Sequence, residues 1–267
     1  MLLFSADKTL CDYQQPEYKS EIPMMILAPT IINDGRKLYI ASQMVSYLMN
    51  SIDSLYGRNK INGVEFQRMF ESQGAGNLRF LSGLRMSAAF PYITPNVTLP
   101  SDPPIDIMDA GVTDNFGISD AIQFIYAFKD WIADNTGGIV LISIRDSAKD
   151  GPIERKKNLS LIDKTTMPIS SIYQNFESLQ DITNDSKIDF AKSWFDGTID
   201  RVDIQYNPAD PNKIELAISD SLTQADSRRA SLSWRLTSKE KKSIVENIYS
   251  RANQKEIMKL YKLLSPN

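Results

Sequence analysis

The sequence predicts an α/β fold with a central, mostly parallel or mixed sheet and helices on both faces. Three observations carry that expectation. Ile139-Val140-Leu141-Ile142-Ser143-Ile144 is a continuous apolar run of strand length, the pattern of a strand buried on both sides. Ile118, Ile122, Ile125 and Ile132 precede it at helical spacing, and Ile105-Asp106-Ile107-Met108 comes before that helix as a second short strand. Strand, helix and buried strand in that order make a right-handed crossover between parallel strands the natural topology.

Composition fits an ordinary globular chain: 267 residues, 42% hydrophobic and 24% charged, with 12 Gly and 13 Pro. Such a length supports one substantial core, and the chain reads as a single domain over 1–267. No run reaches the ~18 apolar residues of a membrane-spanning helix. Met1-Leu2-Leu3-Phe4 meets Ser5-Ala6-Asp7-Lys8 too early for the ~7 to 15-residue apolar stretch of a signal peptide. An intracellular location is the expectation.

Residue counts exclude chemistry as well. With no histidine and one cysteine, Cys11, there is no Ser-His-Asp triad, no His/Cys zinc site and no internal disulfide. A net charge of −3 argues against broad nucleic-acid binding. No cofactor motif is found: neither the phosphate loop G-x-x-x-x-G-K-[ST] nor the fingerprint G-x-G-x-x-G occurs. Asp181, Asp185 and Asp189, or Asp196, Asp200 and Asp203, lack calcium-loop spacing and read as a solvated face; no metal is expected.

Taken in order, Ile22 to Ala28 and Arg36 to Ala41 flank Asn33-Asp34-Gly35 and read as a hairpin. Met44, Leu48, Ile52 and Leu55 have helical spacing, with Gly57 placed to end the helix. Phe80 to Ala89 reads as a helix that must stop near Phe90, because Pro91 follows. Pro95, Pro100, Pro103 and Pro104 suggest an extended loop. Gly137-Gly138 closes the helix that begins at Ile118, and a polar surface loop runs from Asp146 to Lys164 before helical patterning resumes by Ile172. Val202-Ile204-Tyr206 and Ile214-Leu216-Ile218, on either side of Asn207 to Pro211, read as a second hairpin. Thr237-Ser238-Lys239-Glu240 has capping-box spacing and opens a final helix with Ile244, Ile248 and Ala252 on one face.

The sharpest chemical signal is Asp109, at the end of a strand and followed by Ala110, Gly111, Asp114 and Asn115. Ligands gather at the carboxyl ends of such strands, and small residues let a reacting group approach; an Asp there also serves simply as a turn cap. Taken with Leu84 to Pro95, which contains Ser87-Ala88-Ala89-Phe90-Pro91, the segment Ile107 to Asn115 resembles the later half of a patatin-like phospholipase. Ala110 stands where that family has Gly. The resemblance is clearest over 20–145, with 146–267 as a C-terminal extension carrying the hairpin and final helix.

The resemblance implies a serine acyl hydrolase working on a lipid ester with a Ser-Asp dyad. Asp109 would be the base, Gly111 and Asn115 would shape its loop, and Ala110, Ser87 and Pro91 would support it. The G-x-S-x-G nucleophile elbow is absent from the 267 residues, and Gly74-Ala75-Gly76 is too late to be the oxyanion loop. Ser82 and Ser87 fall inside a helix and read as packing positions. The resemblance therefore implies that the missing parts lie upstream and that the sheet is incomplete on its N-terminal side. An edge exposed in this way leads to the expectation of a homo-oligomer. The alternative is a noncatalytic interaction or lipid-surface-binding module on the same fold. From Ala225 onward ten Lys or Arg face four acidic residues, a basic region suited to an anionic membrane surface.

Overall fold

The computed structural model describes residues 8–49, 61–89, 94–146, 161–207 and 236–265, with backbone alone for 161–177. The chain divides into two compact units, Met1–Ala127 and Phe128–Asn267.

In the first unit α1 (Leu10–Tyr18) is followed by β1 (Ile26–Leu27), β2 (Thr30–Ile31) and β3 (Lys37–Ala41). β1 and β2 are one hairpin arm interrupted at Ala28-Pro29. Proline cannot donate to the ladder, but the Pro29 carbonyl accepts from Leu38 N at 2.8 Å and keeps the arm in register. The expected hairpin is present, with its turn on Ile32 to Gly35. Gly35 takes φ +76°, and Asp34 accepts from both Arg36 N and its guanidinium.

β4 (Gly63–Glu65) pairs parallel with β3 and leads into α2 (Phe66–Met69); α3 (Phe80–Ser87) follows, then β5 (Val97–Leu99) and β6 (Ile105–Met108). β6 pairs antiparallel with β2 and with β5. The sheet order is thus β1-β3-β2-β6-β5, with β4 on β3. The fold is mixed α/β as expected, but this main sheet is chiefly antiparallel. The short links from β2 to β3 and from β5 to β6 permit antiparallel pairing, whereas parallel pairing, as of β3 with β4, needs a long crossover.

β3 is the strand buried on both faces. Leu38 and Ile40 join Leu10, Ile31, Phe66, Met86 and Ile107 in one cluster. Tyr39 and Ala41 point the other way, into Val45, Leu48 and Phe124.

Several expectations are corrected. Ser46–Leu48 is one 3₁₀ turn rather than the start of a long amphipathic helix; Met44 is 54% exposed, and Ile52, Leu55 and Gly57 lie outside the described residues. The proline-rich loop contains a strand, β5, because Val97 to Leu99 carries no proline and can complete its ladder with β6.

α4 (Gly111–Asp114) and α5 (Ile118–Asn135) come next; Ile118, Ile122, Ile125 and Ile132 are all buried, as their spacing requires. Helical dihedrals fail at Phe128 (φ −117°, ψ 15°), beside the boundary between the units.

The second unit holds β7 (Ile139–Arg145), α6 (Leu161–Trp194) and β8 (Ile199–Gln205). β7 and β8 pair in parallel over seven residues. The parallel crossover therefore exists one step later than expected: β7 partners β8 through α6, not β6 through α5. β7 is not covered on both faces either, since Ile142 and Ile144 are 51% and 81% exposed while Ser143 and Arg145 are buried. Val202 to Gln205 belong to β8, the parallel partner of β7; the other arm of the expected second hairpin, Ile214 to Ile218, lies outside the described residues.

Polar residues organise this unit. Arg145 reaches Asp181 on α6 with two bonds of 2.6 and 2.7 Å, and Arg201 reaches Asp185 at 2.7 Å and Asp203 at 2.9 Å. Asp181 is thus buried against the sheet rather than solvated, Asp185 pairs with Arg201 while keeping 41% of its side chain exposed, and Asp189 is exposed as expected.

The capping box forms: Thr237 accepts from Glu240 N, and Glu240 accepts from Thr237 N. The single final helix is two, α7 (Ser238–Ile248) and α8 (Arg251–Leu264), because Ser250 caps a new start by accepting from Asn253 N. Their buried residues are Asn247 and Asn253, whereas Ile248 is 43% exposed.

Removing one partner of the Arg145–Asp181 pair strands a buried charge. Arg145→Met or Asp181→Leu alone is expected to lower unfolding free energy by about 3–5 kcal/mol in urea titration, with the double replacement recovering most of the loss. A double variant no better than the singles contradicts this account.

Candidate functional site

The site is built where β6 ends. Asp109 follows the last strand residue, Met108, and its backbone is held from three sides. Asp109 N donates to Ala89 O at 2.8 Å, Ala110 N donates to Ser87 O at 3.1 Å, and the Asp109 carbonyl accepts from Thr30 Oγ1 at 2.9 Å. The last carbonyls of α3, which no helical turn can satisfy, are thereby used to fix the segment. Thr30 Oγ1 also lies 3.1 Å from Thr113 Oγ1, linking β2 to α4.

Ser87 contributes its backbone carbonyl, not a nucleophile's geometry: it closes the last turn of α3. Pro91 lies outside the described residues.

The carboxylate is half-buried, and its Oδ1 accepts from Gly111 N at 2.6 Å. A Cβ on Gly111 would sit 2.8 Å from that oxygen and 2.6 Å from Asn115 Oδ1. Asp109, Gly111 and Asn115 therefore converge on one point, and the glycine is required by close approach rather than by its dihedrals. Ala110 has φ −63° and ψ −29°, a conformation any residue adopts, so a methyl group is tolerated there without strain.

Asp114 has a different job. Its Oδ2 accepts from Ser119 N at 2.9 Å and Asp120 N at 3.4 Å, capping the start of α5, where the helix dipole favours a carboxylate. The same oxygen is 3.1 Å from Lys37 Nζ, which also donates to Asp120 Oδ1 at 2.7 Å; Tyr39 OH donates to Asp120 Oδ1 at 2.9 Å. One ammonium thus serves two carboxylates. Burial, then the charge of Asp120, pushes the Tyr39 phenol far above its ordinary range. Burial, with help from Glu65, pushes Tyr47 up to about 12.

Sequence reading found Asp109, Ala110, Gly111, Asn115 and Ser87 through one motif, and the fold brings these together. It missed Thr30, Lys37 and Asp120. Only the alternation along β3, which places Lys37 and Tyr39 on one face, hinted at the last link.

A carboxylate anchored in this way is an acceptor that can take a proton from a hydroxyl at hydrogen-bond range. Among the described residues no group of three or more His, Cys, Asp or Glu is arranged to hold a metal ion. Serine–carboxylate pairs do occur away from Asp109; in one of them Ser42 Oγ donates to Glu17, whose other oxygen accepts from Met25 N at 3.1 Å. It lines a cavity of about 10 Å³ with Leu10, Leu27, Ile40 and Phe80. That is room for about one water, so the pair reads as a clamp between α1 and β3.

Comparison with family models, with curated proteins and with solved structures finds no match.

Gly111→Ala is expected to cost about 1–3 kcal/mol through displacement of Asn115 and the Asp109 carboxylate, and Gly111→Ala with Asn115→Ala is expected to recover part of it. Urea midpoints check this; an unchanged midpoint in the single variant refutes the close packing. Because the folded phenols of Tyr39 and Tyr47 ionise later than those of the unfolded chain, stability is full below about pH 10 and falls as pH rises toward 12. Thermal melts from pH 8 to 11.5, with Tyr47→Phe flattening part of the decline, read this out.

Proposed function

We propose that this chain carries the carboxylate half of a patatin-type acyl hydrolase site, with Asp109 as the base and a lipid or ester as substrate. The observation that supports it most is the convergence of Asp109, Gly111 and Asn115, where any side chain on Gly111 would strike the other two. The bond from Gly111 N to Asp109 Oδ1 also closes a tight turn, and Asn115 is the further polar group that this turn brings beside the carboxylate.

In the proposed reaction a serine oxygen attacks the ester carbonyl while its proton passes to the Asp109 carboxylate. The resulting tetrahedral intermediate expels the alcohol, which leaves with that proton, and water then hydrolyses the acyl-serine by the same base. Gly111 N, bonded to Oδ1, fixes the direction of the accepting group. Thr30, Ala89 and Ser87 hold the backbone so that reaction needs little reorganisation.

No G-x-S-x-G elbow occurs in the 267 residues, so the serine is not supplied from such a motif here. The same fact favours a second reading, a noncatalytic interaction or lipid-surface module that retains the carboxylate loop.

The 267-residue chain by itself is expected to leave p-nitrophenyl butyrate unhydrolysed above buffer and to remain unlabelled by a fluorophosphonate; stoichiometric labelling of any of its serines overturns the proposal. Expressed together with any in-frame upstream sequence that carries an elbow, it should gain esterase activity. Asp109→Asn should then reduce that activity by on the order of 10²–10⁴-fold. Activity indifferent to this substitution rejects Asp109 as the base, and an upstream frame without an elbow favours the noncatalytic reading.

A further inference from the structure

The fully buried side chains of the two C-terminal helices are amides, with Ile244, Ile257 and Leu260 partly buried beside them. Asn253 Oδ1 accepts from Gln205 N at 2.9 Å and its Nδ2 donates to Gln205 O at 2.8 Å; Asn247 makes the same double contact with Asn207, at 3.0 and 2.6 Å. Lys259 Nζ donates to Arg201 O at 2.6 Å. These bonds fix the rotation of α7 and α8 against β8. With that rotation set, Met258, Tyr261 and Leu264 stand outward in a row of i, i+3 steps, 53%, 67% and 67% exposed.

The flanking stripe is basic. Arg251, Lys255 and Lys262 are exposed along α8 beside the apolar row, and Lys239, Lys241 and Lys242 are exposed on α7. Over 236–265 seven cations face three glutamates, a net +4 in a chain whose total is −3. Of those glutamates, Glu240 is already used in the capping box.

We propose that this face of α7–α8 docks on an anionic lipid bilayer, lying in the interface with Met258, Tyr261 and Leu264 inserted and Arg251, Lys255 and Lys262 at the headgroups. Two features select a bilayer over a polyanion. A phosphate backbone is met by cations and polar groups, and three exposed apolar side chains in a row add nothing to that contact. A bilayer uses both stripes, because apolar insertion and headgroup attraction reinforce one another, and tyrosine suits the boundary between them. The inference stands independently of how Asp109 is read, since no residue of this face belongs to that loop.

Co-sedimentation of the whole chain with vesicles tests it. Binding is expected to phosphatidylcholine vesicles containing about 30% phosphatidylglycerol, with little to phosphatidylcholine alone, and to weaken at high salt. Arg251→Glu, Lys255→Glu and Lys262→Glu together should weaken binding by roughly 100-fold or more. Met258→Ser, Tyr261→Ser and Leu264→Ser, which leave charge unchanged, should weaken it by about 10-fold or more. Unchanged circular dichroism verifies that the exposed substitutions leave the fold intact. The proposal is overturned if the wild-type chain ignores anionic vesicles, or if the apolar triple variant binds them as well as wild type. It is equally overturned if light scattering finds that this variant merely dissolves a dimer, which would assign the face to a second copy.

Discussion

Much of the first unit depends on the ammonium of Lys37. It lies at the start of the strand buried on both faces and meets Asp114 and Asp120 at the start of α5. Without a cation, two carboxylates would be buried side by side, an arrangement that costs several kcal/mol. With it, the strand is tied to the helix start, the helix start to the short turn of α4, and that turn to the loop bearing Asp109. Asp109 itself is held by bonds from its own segment to Ser87, Ala89 and Thr30, next to the turn that this charge network fixes.

The second unit solves the same problem with different means. Guanidinium groups on β7 and β8 answer the aspartates of α6, beside an apolar contact made by Ile188, Ala191, Ile199 and Val202. Directional bonds of this kind specify a register more strictly than apolar contact does, because a shift of one residue leaves buried charges unmatched. Other apolar side chains stand on the outer surfaces, including Ile142 and Ile144 on the sheet and the row on α8.

Local chemistry was legible in the sequence; pairing between distant segments was not. The turn at Asp34-Gly35, the buried isoleucines of α5, the helix from Phe80 and the capping box at Thr237 all follow from rules that act over four or five residues. The same holds for the Asp109 motif, whose members are neighbours in the chain. Misplacing the parallel crossover has a definite cause: an apolar run such as Ile139 to Ile144 signals a strand but not its partner, and β8, sixty residues later, offers the longer register. Likewise the buried faces of Asp181, Asn247 and Asn253 were invisible, because a polar side chain matched by a remote guanidinium or backbone edge has the same sequence signature as one in water.

The paired amides on β8 have a consequence for assembly. An asparagine side chain that both donates to and accepts from one residue imitates a neighbouring strand for the length of a single peptide, and Asn253 and Asn247 do so at Gln205 and Asn207, two residues apart, where another backbone would have to bond. A further backbone pairing at this end of β8 would first have to displace the terminal helices, so the two asparagines shield this stretch of edge as well as fastening the native state.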